Sequence, residues 1–222
     1  MARVEAVIKV GGSLAKSNAL EPLCRKISEL GQRHRLLIVP GGGPFADVVR
    51  THYQCYRLSE TAAHRMAILA MDQYGYLLCD LIPGSLPVTS LLTVPVVCEA
   101  RRVPVLLVSE LLRADPLPHS WAVTSDSIAA WVAGLIKAPL LVLLKDVEGI
   151  YTTDPHLGGE TGLLAEVVIS QLADYGGVDK YLASVLAANE IEAWVISGEH
   201  PARLEELLQR GRTRGTVLRR QG

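Results

Sequence analysis

Two apolar runs near the start of the chain each end on a cluster of glycines, and this limits the folds open to it. Residues 4–10 alternate and then turn apolar, and they stop at Gly11–Gly12. Residues 36–39 are apolar throughout and stop at Pro40, followed by Gly41, Gly42 and Gly43. Short continuous apolar runs of this kind read as strands buried on both faces, as in a parallel sheet. Glycines at a strand's end let bare backbone N–H groups approach an anion closely. In an open α/β sheet, ligands bind at the carboxyl edge of the strands. Two such turns on one edge place two anionic groups face to face, as a phosphate donor and an acceptor require. Neither turn ends in the Gly-Lys-Ser/Thr of a Walker loop, and neither has G-x-G-x-x-G spacing. Lys9 stands two residues before Gly11, so its ammonium reaches over the phosphates rather than beneath them.

The rest of the chain keeps the alternation. Helical periodicity covers residues 18–33, with Leu20, Leu23, Ile27 and Leu30 on one face and Asn18 as a candidate cap. Helices are predicted over 45–53, 59–81, 125–136, 178–188 and 201–210, and strands over 103–108, 140–144 and 193–196. Residues 83–104 read as short strands or as a strand–helix–strand unit, and 216–218 as a short edge strand. Strand and helix in turn predict an α/β three-layer αβα sandwich around a mainly parallel open sheet. With 222 residues, one domain over 1–222 is expected. Apolar residues make up 49% of the chain and aromatic ones only 5%, so packing rests on Leu, Val, Ile and Ala. A net charge of −1 lacks the basic footprint of a nucleic-acid binder. The 4 cysteines fit no zinc spacing and read as reduced thiols. No charged leader with an apolar core precedes the first strand, and the longest apolar stretches are broken or too short to span a bilayer. A soluble cytoplasmic protein with no membrane partner is expected.

Two further segments carry polar chemistry. Thr124-Ser125-Asp126-Ser127 puts hydroxyls and a carboxylate at a helix start; read alone, it is an N-cap with an acidic first turn. Residues 144–155, from Leu144-Lys145-Asp146 through Tyr151 to Asp154-Pro155, read alone as a charged, turn-rich loop after a strand. Together and in this order, the four segments resemble the amino acid kinase family, which has the carbamate kinase-like fold. The resemblance runs from Val4 to about Leu218, including Gly215-Thr216, which looks like the family's terminal strand.

The resemblance implies ATP as phosphoryl donor, Mg²⁺ held mostly by its phosphates with no protein metal site, and a homo-oligomer. It also implies residue roles. Lys9 bridges the transferring phosphoryl group, and Asp126 orients lysines and acceptor. Gly11, Gly12, Ser13 and Gly43 hold nucleotide phosphates. Lys145, Tyr151 and Asp154 line the nucleotide. Gly41, Gly42, Thr124 and Ser125 face a small-molecule phosphate acceptor. Phosphoryl transfer suits such a site, because catalysis there is mostly positioning and charge neutralisation.

The chain also departs from the family pattern. Many members carry a second lysine in a Gly-Gly-Met-x-x-Lys segment. Here Gly176-Gly177-Val178-Asp179-Lys180 is one residue shorter, which makes Lys180 the candidate. Asp126 is therefore expected to pair with one or two lysines, Lys9 and Lys180 being the candidates. Uridylate kinases carry Arg, and isopentenyl phosphate kinases His, where this chain has Asp47. That acid reads either as a partner for an acceptor's ammonium or as a first-turn helix acid. Lys16 reads either as an acceptor-phosphate ligand or as a solvated loop lysine. The short length, residues 64–72 and residues 178–181 are similar to the small kinases of methanofuran biosynthesis, which phosphorylate (5-(aminomethyl)furan-3-yl)methyl phosphate to its diphosphate. A carboxylate kinase forming an acyl phosphate, and a non-catalytic nucleotide or oxyanion storage protein on the same fold, stand as alternatives.

Overall fold

The computed structural model describes residues 3–114, 117–152, 162–189 and 191–220. Among these, one eight-stranded sheet runs in the order β3-β4-β2-β1-β5-β9-β10-β8. The strands are β1 (Ala6–Val10), β2 (Leu36–Pro40), β3 (Ser85–Val88), β4 (Val103–Leu106), β5 (Leu140–Lys145), β8 (Glu166–Val168), β9 (Glu192–Ser197) and β10 (Thr216–Arg219). β6 (Ile150–Tyr151) and β7 (Leu163–Leu164) form a separate antiparallel ribbon. Every pairing in the large sheet is parallel except that of β9 with β10.

Strand alternation sorts the side chains between two helical layers. Ala6, Ile8 and Val10 pack with Leu23 and Ile27 of α1 (Leu20–Gly31), Tyr74 and Leu78 of α3 (Glu60–Leu81), and Leu204 and Leu207 of α8 (Ala202–Arg210). Val7 lies on the other face, with Ile128 and Val132 of α6 (Ser125–Leu135) and Leu182 and Leu186 of α7 (Leu182–Ala188). β5 divides in the same way: Leu141 and Leu143 join Val7, while Val142 and Leu144 join Ile8. Lys9 and Lys145, two residues beyond Val7 and Leu143, thus end adjacent parallel strands on the α6 side. The remaining α-helices among the described residues are α2 (Gly43–Tyr56), α4 (Val94–Glu99) and α5 (Val108–Leu111).

Several boundaries differ from the sequence expectation, each for a local reason. Asn18 does not cap α1; Ser17 Oγ accepts from Ala19 N at 3.1 Å instead. Residues 83–104 resolve into β3, α4 and the start of β4, and Val108 begins α5 rather than ending a strand. α7 starts at Leu182, not at 178, because Asp179 Oδ1 accepts from Tyr181 N and Leu182 N and Gly177 takes φ +91°. β10 is not the sheet's edge, since β8 pairs outside it.

Candidate active site

The two glycine turns meet at the carboxyl edge of β1 and β2. A Cβ on Gly12 would lie 2.2 Å from Gly43 N, and one on Gly11 would lie 2.5 Å from Leu144 O. Both positions therefore exclude side chains, and backbone lines this part of the cleft. Gly43 adopts φ +58° and rests on the ring of buried Tyr74, whose hydroxyl donates to Gly11 O at 3.4 Å. Gly41 lies beneath, its N–H donating to Val10 O at 2.8 Å; it is placed against Gly12 and outside the cleft lining.

Beside the turns, the amino end of α6 points Asp126 at both strand-end lysines. Lys9 Nζ lies 2.8 Å from Asp126 Oδ1, and Lys145 Nζ donates to Oδ2 at 2.6 Å. Asp126 is almost fully buried, with a side chain 3% exposed. Burial alone would raise its pKa, but Lys145 and Lys9 together outweigh that and hold the carboxyl well below the usual range. Burial pushes Lys9 below its ordinary value, against the pull of Asp126. The lysine expected from the glycine segment does not pair with Asp126: Lys180 is exposed and lines an adjoining hollow with Asp126 and Lys145, while Lys145 makes the ion pair expected of Lys180. Lys180 belongs to the turn before α7, whereas Lys145 continues β5 next to β1.

Thr124 caps α6, accepting from Asp126 N at 3.3 Å. One neighbouring residue fixes this whole corner. Asp179 accepts from Thr124 N at 3.0 Å, Thr124 Oγ1 at 2.7 Å and Ser127 N at 2.9 Å, and also from Ser127 Oγ. It thus caps α7 and clamps the start of α6 at once. The cap had a sequence signal, an Asp three residues before a helical Leu182. The clamp onto α6 had none.

The cleft encloses about 740 Å³. Its lining brings together Lys9, Gly11, Gly12, Ser13, Lys16, Gly42, Gly43, Asp47, Thr124, Ser125, Asp126, Lys145 and Tyr151. Asp154 lies outside the described residues. On one side, Gly149 and Tyr151 lead away from Lys145, and Glu148 anchors this loop through Arg203 at 2.8 Å and Arg214 at 2.5 Å. On the other side, Asp47 is the fifth residue of α2, past the first turn in which it was expected, and is bracketed by Lys16 at 2.8 Å and Arg50 at 2.7 Å. The Lys16 hydrogen bond is the main cause of a lowered Asp47 pKa. Asp47 is thus already paired, and the cluster carries a surplus positive charge. Arg50 also reaches over the Trp121 ring, 5.6 Å from its centroid. Sequence reasoning did not single out Arg50 or Trp121; neither sits in a motif.

Through Gly42, Ala46 and Arg50 the cleft continues into a slot of about 70 Å³ between α2, α3 and the loop before α6. Its walls are mostly apolar, from Ala67, Ile68, Met71, Trp121, Val123 and Ile128. Among the described residues lining it, Glu60 is the one carboxylate.

This arrangement, two backbone-lined glycine turns beside a buried Lys–Asp–Lys cluster at a parallel sheet's edge, has the features that phosphoryl transfer requires. Residues 5–197 match the model of the amino acid kinase family. The chain is 30% identical to [5-(aminomethyl)furan-3-yl]methyl phosphate kinase of Methanocaldococcus jannaschii, over 91% of this chain and 92% of that protein. Among solved structures, uridylate kinase from Archaeoglobus fulgidus superposes with a TM-score of 0.78 at 21% identity, covering 97% of this chain and all (100%) of that one. The isopentenyl phosphate kinase of T. acidophilum, in a product complex, superposes with a TM-score of 0.66 at 20% identity, covering 97% of this chain and 100% of that one. The chain belongs to the amino acid kinase family, and it is an ATP-dependent kinase.

Proposed function

We propose that this kinase transfers the γ-phosphoryl group of ATP to a phosphomonoester, forming a diphosphate, and that its acceptor is [5-(aminomethyl)furan-3-yl]methyl phosphate. The observation that carries this reading is the acceptor side itself: a net-cationic Lys16–Asp47–Arg50 cluster opening into a small, mostly apolar slot whose lining includes the Glu60 carboxylate. A phosphate meets Lys16 and Arg50, a flat ring fits between Met71 and Trp121, and an ammonium meets Glu60. Asp47, occupied by two cations, is a poor partner for that ammonium. The 30% identity to the furan kinase supports the same assignment.

Asp126 has both carboxylate oxygens against lysines. We propose that Mg²⁺ would enter on the ATP phosphates, where it would neutralise charge. Ser13 and the N–H groups of the glycine turns hold those phosphates. We further propose a single-domain protein acting as a homo-oligomer in the cytoplasm. Exposed Leu69 and Tyr76 on α3 support self-association, and no helix among the described residues is long and apolar enough to cross a membrane.

The test is ATP turnover with a panel of acceptors, read by phosphorus NMR. Coupled diphosphate doublets from the furan phosphate, at a higher kcat/KM than from uridylate or isopentenyl phosphate, are expected. An acyl phosphate from an amino acid would replace this reading with a carboxylate kinase.

A further inference from the structure

We propose that Lys145 is a catalytic residue, the second lysine that contacts the transferring phosphoryl group, in place of Lys180. The inference rests on the phosphotransferase reading and adds to it a division of labour that the glycine segment alone misassigns.

Lys9 and Lys145 end neighbouring parallel strands, with Lys9 opposite Leu143 in register and Lys145 two residues further along. Both side chains project to the α6 face and converge on the two oxygens of one carboxylate. Both also line the cleft with Gly12 and Gly43. A single lysine would neutralise buried Asp126. A second one leaves a surplus positive charge in a site where Lys9 is 5% exposed and Lys145 14%. Burying unpaired charge is costly, so an arriving anion is what completes such a site. Asp179 does not balance it, because its oxygens are taken by the backbone and hydroxyls of Thr124 and Ser127 and by the N–H groups of Tyr181 and Leu182. Lys180 is exposed and makes no ion pair among the described residues.

The chemistry uses both cations. An oxygen of the acceptor's phosphate dianion attacks Pγ and forms the new P–O bond. The bond from Pγ to the β–γ bridging oxygen breaks, and its electron pair leaves with ADP. No proton has to move. Negative charge shifts towards the leaving oxygen while the equatorial oxygens stay anionic, so two ammonium groups held apart by Asp126 stabilise the transition state more than the ground state.

The deciding experiment compares Lys145→Met with Lys180→Met. For Lys145→Met we expect kcat to fall on the order of a hundredfold, with the KM values for ATP and acceptor changed only a few-fold. Affinity for ADP should hold, while affinity for ADP with aluminium fluoride, a planar phosphoryl mimic, should drop steeply. Lys180→Met should lose less on every readout. A kcat near wild type, a loss confined to the ATP KM, or a larger kcat loss in Lys180→Met would overturn the assignment. If thermal melting shows Lys145→Met unfolded, Lys145→Arg keeps the charge beside Asp126 and is read instead. It should lose at least about tenfold in kcat, because a planar guanidinium does not reproduce a point charge, and wild-type turnover would overturn the assignment. The aluminium fluoride arm needs no acceptor. It therefore separates a wrong acceptor, where wild type binds the mimic and Lys145→Met does not, from a wrong kinase reading, where wild type fails to bind it and this assignment falls too.

Discussion

The two ion-pair clusters of the cleft have nearly the same distances and opposite surroundings. Lys9–Asp126–Lys145 closes at 2.8 and 2.6 Å with side chains 5%, 3% and 14% exposed. Lys16–Asp47–Arg50 closes at 2.8 and 2.7 Å with side chains 67%, 47% and 52% exposed. In the dry centre each charge depends on its partners, and the geometry is fixed before substrate arrives. At the wet rim, water and salt screen the pairs, so Lys16 and Arg50 can exchange Asp47 for an incoming phosphate at little cost. Distance alone does not separate machinery from rim; burial does.

The sharpest way to break this contrast is to remove the shared carboxylate of the dry centre. Asp126→Ala leaves two buried ammonium groups without a partner and is expected to cost about 3–5 kcal/mol of stability, with turnover lost. Denaturant unfolding measures it, and a loss under about 1 kcal/mol would make the centre no different from the rim. The wild-type centre also predicts a direction with pH. The Asp126 pKa is depressed in the folded state. Its contribution is therefore present above the ordinary carboxylate pKa and drains away as pH falls towards the folded value.

Lys9→Met should fold and lose turnover by ~3 kcal/mol, on the order of a hundredfold. Because burial lowers the Lys9 pKa, rising pH removes its charge early. The alkaline limb of kcat/KM for ATP, which reports the free enzyme, should fall before the ordinary lysine range. A flat profile through that range would show that Lys9 is not the titrating cation.

Between centre and rim lies the slot. Glu60→Gln should weaken the aminated acceptor by ~1.5–3 kcal/mol, seen as a raised KM, and leave a des-amino analogue unaffected. Equal effects on both acceptors would remove Glu60 from amine recognition. The smallest effect is expected at the rim. Asp47→Asn should shift stability by ~1 kcal/mol or less, with the acceptor KM within a few-fold of wild type. A large loss specific to the aminated acceptor would return Asp47 to the role of ammonium partner.

Legibility followed the range of the interactions. Residues 4–10 and 36–39 declared strands by local apolar content, and Thr124 declared a helix cap by its neighbours. Each of these depends on residues a few positions apart. β8 was missed because three residues, Glu166–Val168, carry too little pattern and acquire strand geometry only by pairing with β10. The pairing of Asp47 with Lys16 was not legible, because Lys16 is 31 positions away and no local pattern announces the pair.

The sequence by itself determined that bare backbone lines one edge of a parallel sheet and that Lys9 stands over it, because glycine and strand alternation act locally. Tertiary structure alone decided which second lysine shares Asp126 with Lys9. Lys145 and Lys180 both follow an apolar or glycine-rich segment and have equal claims in one dimension. Strand order separates them: β5 lies directly beside β1, so a lysine continuing the Leu141–Leu143 face must emerge next to Lys9. The turn before α7 is tied down through Asp179, which leaves Lys180 in solvent.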